Sequence, residues 1–382
     1  MNPIQLSLFR QFIIAILVFF TLQQSTAAFP SSPSEIIMIS SSPKTVMVTG
    51  ANGYLASYIV KDLLASGQTV HACVRDASRK ESVDHLKALR GASERLKLFS
   101  TGDLAAAGGN SPFDGPMKGC QAVFHAATPL NVKFGGHSGE QDIYQPAMVS
   151  TQELLDCLER FGSEVKCLVL TSSMSAVAPR PEPKVKDESH WSDAEEQKSR
   201  DNWYACTKTS QEQLVRSWVS SAKTSGKVSK DFVYAAICPT MVVGPKLQKI
   251  DNPKEGVGGT IGRLQSWLQG TRTEAPNDSM SFIHVEDCAK MHTKILELKA
   301  SEINEHQRYM SLIESLHWND IFKLMKELYP EMPDVKPYEG DDIVTPTQVN
   351  LENMKSLKVN YKDTRAALQD SIDFLKTVGA LE

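Results

Sequence analysis

Residues 45–64 constrain the fold more than any other stretch of the chain. A β-rich run, Thr45-Val-Met-Val-Thr49, meets the turn Gly50-Ala-Asn-Gly53-Tyr-Leu-Ala56, and Ile59, Val60, Leu63 and Leu64 then recur at helical spacing. Strand, glycine turn and amphipathic helix, in that order, are the context that a phosphate-binding glycine fingerprint requires. Gly50 permits the tight turn, Gly53 lets backbone approach a pyrophosphate, and Ala56 keeps helix and strand close. Free N–H groups at the helix start favour negative charge there. The spacing is G-x-x-G-x-x-A rather than G-x-G-x-x-G, so this segment alone leaves open a glycine turn that holds no ligand. On the dinucleotide reading, Gly50, Asn52, Gly53, Tyr54 and Leu55 bind the cofactor.

A second apolar strand, Thr69 to Val74, ends in Arg75-Asp76. In a dinucleotide fold the residue at this tip faces the adenine ribose: an acid bonds the 2′-hydroxyl of NAD, and an arginine pairs with the 2′-phosphate of NADP. Arg75 at the tip predicts NADP(H). A register shifted by one would put Asp76 there and predict NAD. Further apolar runs at Leu96–Phe99, Ala122–Ala126, Cys167–Thr171 and Phe232–Ile237 alternate with helical stretches such as Val149–Leu158 and Thr207–Val219. Short, continuously apolar strands spaced by helices predict a parallel sheet covered on both faces, a doubly wound α/β architecture of the Rossmann type. The run Tyr361–Leu381 reads as a C-terminal helix covering a smaller substrate-binding part.

Composition excludes some alternatives. The 382 residues carry a net charge of −4, with 23% charged and 41% hydrophobic residues. Wholesale disorder is thereby ruled out, and a nucleic-acid role driven by counterion release is disfavoured. No His/Cys/Asp/Glu group has metal-ligand spacing, so no metal is expected. The seven cysteines are scattered, without a C-x-x-C pair, and read as reduced core thiols. His125 and His284 read as structural histidines rather than catalytic ones. Trp191, Trp203 and Trp267 fit either a cleft wall or the core.

The N-terminus is different in kind. Arg10 precedes the apolar run Phe12–Phe20, and small residues follow at Thr26-Ala27-Ala28. This is the pattern of a secretory signal peptide, well short of the roughly 20 apolar residues of a membrane span. An uncleaved signal anchor is the alternative. Thr26-Ala-Ala-Phe-Pro resembles the bipartite presequence of algae with secondary plastids, which implies plastid import, with the ER lumen or secretion as the other destinations. The chain therefore divides into a signal peptide at 1–28, a transit-like or linker segment at 29–43, an NADP-binding Rossmann domain at 44–245 and a mainly substrate-binding region at 246–382. Residues 281–300 are expected to return to the Rossmann domain.

The strand ending at Thr171 runs into Ser172-Ser173, and Tyr204 and Lys208 lie four residues apart on one helix face. A phenol of ordinary pKa about 10 is a poor acid–base group at neutral pH. An adjacent ammonium lowers that pKa toward the working range, and a serine hydroxyl from the strand end can stabilise charge on the same substrate oxygen.

Taken together, Thr49-Gly-Ala-Asn-Gly-Tyr-Leu-Ala56, Val74-Arg75-Asp76, Gly102-Asp-Leu104, Phe124-His-Ala-Ala-Thr128, Thr171-Ser-Ser173, Asp187-Glu-Ser-His-Trp-Ser-Asp193, Asn202-Trp-Tyr204, Ile237-Cys-Pro-Thr-Met-Val-Val-Gly-Pro245 and Phe282-Ile-His-Val-Glu-Asp287 come in a familiar order. They resemble the extended short-chain dehydrogenase/reductases, in the branch of dihydroflavonol 4-reductases and cinnamoyl-CoA reductases. The resemblance covers about residues 44–300. It implies Tyr204 as proton donor to a substrate carbonyl, Lys208 as the group that lowers its pKa and bonds the nicotinamide ribose, and Ser173 as catalytic serine, with Ser172 its one competitor. It also implies Asp103 and Leu104 beside the adenine, Ala126, Ala127 and Thr128 along the cofactor's middle, and Pro239 to Val242 at the nicotinamide.

Two positions depart from that pattern. Glu153 stands where the family carries an Asn that organises a proton-relay water. The segment Lys246–Asp251 lacks the basic and histidine set of CoA-thioester members, which disfavours a CoA ester. The expected protein is an NADPH-dependent reductase of a small aryl or hydrophobic carbonyl compound, with no stable membrane insertion once the presequence is removed. An NAD-dependent nucleotide-sugar epimerase, dehydratase or hydroxysteroid-type dehydrogenase is the alternative, and a catalytically silent NADP(H)-binding protein is the third.

Overall fold

In strand β1 (Thr45–Thr49), Val46 and Val48 pack on one face and Met47 on the other, all fully buried. A strand apolar on both faces needs a layer on each side. The computed structural model describes residues 43–104, 111–128 and 139–382, and the same two-faced burial recurs in the central strands of its main sheet. That sheet takes β2 (Thr69–Val74), β3 (Leu96–Ser100), β4 (Ala122–His125) and β5 (Cys167–Thr171). After the short β6 (Val185–Lys186), it also takes β7 (Val233–Pro239) and, beyond β8 (Met241–Val243) and β9 (Ser279–His284), β10 (Arg308–Ser311).

The seven strands run in the order β3-β2-β1-β4-β5-β7-β10, and every pairing is parallel. The chain winds outward from β1 to β3, then restarts at β4 on the other side of β1. That reversal opens a crevice at the carboxyl ends of β1 and β4, where open α/β sheets bind their ligands. The sheet's last strand lies past 300, so the return to it extends beyond the 281–300 segment expected from the sequence.

Among the main helices, α1 (Tyr54–Ala65) buries Ile59, Val60, Leu63 and Leu64 completely. Helices α2 (Gln145–Phe161) and α3 (Trp203–Thr224) pack together on the opposite face. A third apolar cluster belongs to the C-terminal part. There α4 (Gly259–Leu268) lies beside a small sheet of β8, β9 and β11 (Ser315–His317). Next to that sheet, α5 (Val285–Ile295) packs back on α1. Helices α6 (Trp318–Leu328) and α7 (Thr364–Thr377) complete the cluster, and β12 (Gln348–Val349) pairs with β6. Residues 43–382 form one compact unit.

All seven cysteines are buried and free, as the core-thiol reading requires. Trp267 is core, 4.8 Å from Trp318. Among the described residues no helix is long and apolar enough to cross a membrane. The signal-peptide and transit-like segments lie outside the described residues.

Candidate active site

The glycine turn forms as its residue types demand. Gly50 adopts φ +62°, Gly53 N–H donates to Gly50 O at 2.8 Å, and Ala51 N–H donates to Cys73 O at 3.0 Å. A Cβ at Gly50 would lie 3.0 Å from Ala127 Cα, and one at Gly53 3.1 Å from Gly50 O. Only glycine lets the turn close on the end of β4. Thr49 Oγ1 accepts from Ala127 N at 3.0 Å and bonds His125 Nδ1 at 2.9 Å, which ties β1 to β4 at the crevice.

A cleft of about 530 Å³ opens above this turn, lined by Gly50, Asn52, Gly53, Arg75, Asp76, Asp103, Leu104 and Ala126 to Thr128, among others. Tyr54 and Leu55 pack against the core instead, and the Tyr54 hydroxyl donates to Gly244 O at 2.7 Å. What these two positions offer a phosphate is the backbone at the start of α1. Pro239 and Val242 are buried at the end of β7 and in β8.

The β2 register places Arg75 at the strand tip, exposed. Asp76 is turned into a local bend: its carboxylate accepts from Ser78 N at 2.9 Å and Ser78 Oγ at 2.6 Å. Those bonds hold its carboxyl below the usual carboxylate range. Arg79, Ser82 and Thr101 also line the cleft, and the sequence reading missed them. A second basic residue four places beyond Arg75 was the available signal for Arg79.

The two serines after β5 separate cleanly. Ser172 is turned inward and donates to Glu212 Oε2 at 2.5 Å. Ser173 accepts from Ser175 N at 3.1 Å and acts on the Tyr204 hydroxyl, whose pKa it lowers. Tyr204, in the first turn of α3 after the Asn202 cap, is 39% exposed. Lys208, one turn further, is buried and donates to Thr128 Oγ1 at 2.7 Å and to Thr171 O at 2.9 Å. The turn-side cleft and the Ser173–Tyr204 pair are thus joined through one ammonium.

The fold brings a further charge toward the Tyr204 phenol. Burial of the hydroxyl raises its pKa above the ordinary phenol, offset in part by the Ser173 bond and the charge of Arg263 on α4. Lys208 is engaged by Thr128 and Thr171, and burial pushes its own pKa down to about 8. Tyr204 is accordingly a phenol that keeps its proton. Arg263 carried no sequence signal, because only the packing of α4 brings it toward the phenol.

Burial lowers His125 to about 3, with the Lys208 charge adding to the effect, so the imidazole is neutral. His284 caps α5 by accepting from Glu286 N at 3.3 Å. Glu153 acts on Cys157 and Arg160 along its own helix. The neighbouring Thr151 faces α3 and accepts from Gln211 Nε2 at 2.7 Å.

The model of the NAD dependent epimerase/dehydratase family matches residues 46–308. The chain belongs to this family. Within it, the chain is 33% identical to a cinnamoyl-CoA reductase of Medicago truncatula, over 87% of this chain and 95% of that one. It is 32% identical to tetraketide alpha-pyrone reductase 1 of Arabidopsis thaliana, over 88% and 96% of the two chains. The fold is similar to that of yeast methylglyoxal/isovaleraldehyde reductase in its NADPH complex, at TM-score 0.70 and 20% identity, covering 88% of this chain and all of that one. The glycine turn, the β5 end and α3 all fall inside the residues the family model matches.

Proposed function

We propose that this chain is an NADPH-dependent oxidoreductase that reduces an aldehyde or ketone of a small hydrophobic or aryl molecule to an alcohol, with Tyr204 as proton donor. One observation carries the reading: Lys208 bridges Thr128 in the glycine-turn cleft to the strand end that bears Ser173, one helical turn from Tyr204. Gly50, Asn52, Gly53 and the start of α1 would hold the pyrophosphate, Asp103 and Leu104 the adenine side, Lys208 the nicotinamide ribose, and Pro239 and Val242 the nicotinamide. Arg75 suits a 2′-phosphate, while Asp76 lines the same cleft with one carboxylate oxygen held by Ser78.

When bound, NADPH supplies the hydride that the carbonyl carbon receives. Tyr204 gives its proton to the carbonyl oxygen, so C=O becomes CH–OH. The phenolate left behind is favoured by Ser173 and by the charge of Arg263. A phenol held protonated suits this direction of transfer. Lys246, the nearest basic residue after Pro245, spends its ammonium on the Val257 and Gly258 carbonyls at 2.5 and 3.2 Å, which supports a substrate other than a CoA ester.

The test begins with fluorescence titration by NADPH and NADH of the chain from Phe29 onward. A tenfold preference for NADPH, about 1.4 kcal/mol, is expected. Turnover of aldehydes, ketones and acyl-CoA thioesters is then followed beside Tyr204→Phe. Preference for NADH, or turnover that survives Tyr204→Phe unchanged, sinks the proposal. We further propose that residues 1–28 direct the chain into the secretory pathway and on to a plastid of secondary origin. A fluorescent fusion of residues 1–43 that stays in the cytosol contradicts this.

A further inference from the structure

A second ionic site lies behind the catalytic face. Arg308, on β10 at the edge of the main sheet, and Glu212, on α3, are both fully buried. Arg308 Nε donates to Glu212 Oε1 at 2.6 Å, and Nη2 donates to Oε2 at 3.3 Å. The remaining donors go to three backbone carbonyls: Ala176 O at 2.8 Å, Glu188 O at 3.2 Å and His190 O at 2.5 Å. Trp191 covers the guanidinium, with its ring centroid 3.8 Å from Cζ. Burying a charge pair is costly, and a hydrophobic replacement is often neutral or better for stability. A pair this completely satisfied therefore invites a reason beyond stability.

The reason lies in what the pair grips. Tyr204, Lys208 and Glu212 follow one another at four-residue intervals, one stripe of α3. Glu212 takes the hydroxyl of Ser172, the residue just before Ser173. Arg308 takes the carbonyl of Ala176, three residues after Ser173, where the short turn Met174–Ala176 ends. The segment that bears Ser173 is thus held at both ends by one ion pair whose carboxylate shares a helix stripe with Tyr204. The other carbonyls bind the segment 187–193 to the same guanidinium.

We infer that Arg308 and Glu212 are positioning residues that set the alignment of Ser173 with Tyr204, rather than a structural pair alone. The inference rests on the proposed reductase reading. A lysine at 308 keeps the charge but loses the planar fork, which alone reaches a carboxylate and several carbonyls together.

Three variants test it: Ser172→Ala, which removes only the hydroxyl bond to Glu212; Ser172→Thr, which restores a hydroxyl; and Arg308→Lys. Each is measured for NADPH affinity, melting temperature, and kcat and KM on the best carbonyl substrate of the wild-type chain. Ser172→Ala and Arg308→Lys are expected to lower kcat at least tenfold, with NADPH affinity within twofold of wild type, and Ser172→Thr to recover most of it. If Arg308→Lys does not fold, the Ser172 pair decides. Ultraviolet difference titration against Tyr204→Phe supplies a readout that needs no substrate: the Tyr204 phenol in Ser172→Ala should ionise at higher pH than in wild type. Unchanged kcat and unchanged Tyr204 ionisation in folded Ser172→Ala overturn the inference. A wild-type chain without carbonyl turnover overturns the reductase reading instead, and the titration still judges the positioning role.

Discussion

At the scale of single residues, the site depends on which proton sits where. Desolvation raises the Tyr204 pKa, and Arg263 and Ser173 are the groups that ease formation of its anion. Arg263→Gln removes the charge without the bulk. Its expected outcome is a phenol that ionises at still higher pH and a kcat lower by about tenfold, since a charge near a titrating group shifts it by the order of one unit. Ultraviolet titration and steady-state kinetics check both. Lys208, with a pKa near 8, loses its charge within the assay range. Reductase activity is expected to fall as pH rises through about 8, and the pH profile of kcat checks this. The same shift has a stability sign. The unfolded chain binds this proton more tightly than the native one, so the Lys208 contribution to stability rises as pH climbs from about 8 toward the ordinary lysine range. A decrease in melting temperature over that window, after correction for other groups, contradicts it.

At the scale of elements, one strand-turn-helix and one helix do most of the positioning. The turn at Gly50 closes on Ala127, and its φ of +62° together with that close approach favours glycine. Gly50→Ala is expected to cost about 1–2 kcal/mol in stability from the left-handed backbone alone. It should weaken NADPH binding further as Ala127 is pushed from the cleft. Thermal melts and fluorescence titration check these separately. Much of this was legible in the sequence: the glycine turn, the strand tip at Arg75, and the Tyr204–Lys208 spacing each follow from local periodicity and residue type. The partners were not. Thr128 lies 80 residues from the lysine it holds, and Arg308 lies 96 residues from Glu212. No local pattern encodes a contact across that separation.

At the scale of the whole molecule, two kinds of core stand side by side. The main sheet is buried on both faces by the helices around β1, while the C-terminal cluster is centred on Trp267, Trp318 and the helices α4, α6 and α7. Trp267 packs edge-on against Trp318 at 4.8 Å. Trp267→Ala is expected to cost about 3–5 kcal/mol of stability, while NADPH affinity at temperatures where the chain is folded stays within twofold. A melt and a titration check this, and a large loss of cofactor affinity would show that the two parts are coupled more tightly than their packing indicates.

What the amino-acid sequence determined by itself was the set of local elements and the chemistry they carry. Alternating apolar strands, glycine turns and the Y-x-x-x-K helix depend on neighbours a few residues away, and so the doubly wound fold and the Tyr204–Lys208 spacing could be read directly. Tertiary structure alone decided which serine is turned away to Glu212, that Ser78 engages Asp76, that Arg263 approaches the phenol, and that desolvation raises that phenol's pKa. Those outcomes depend on burial and on charges brought together from distant segments, and desolvation acts on a group only once the fold has removed its water.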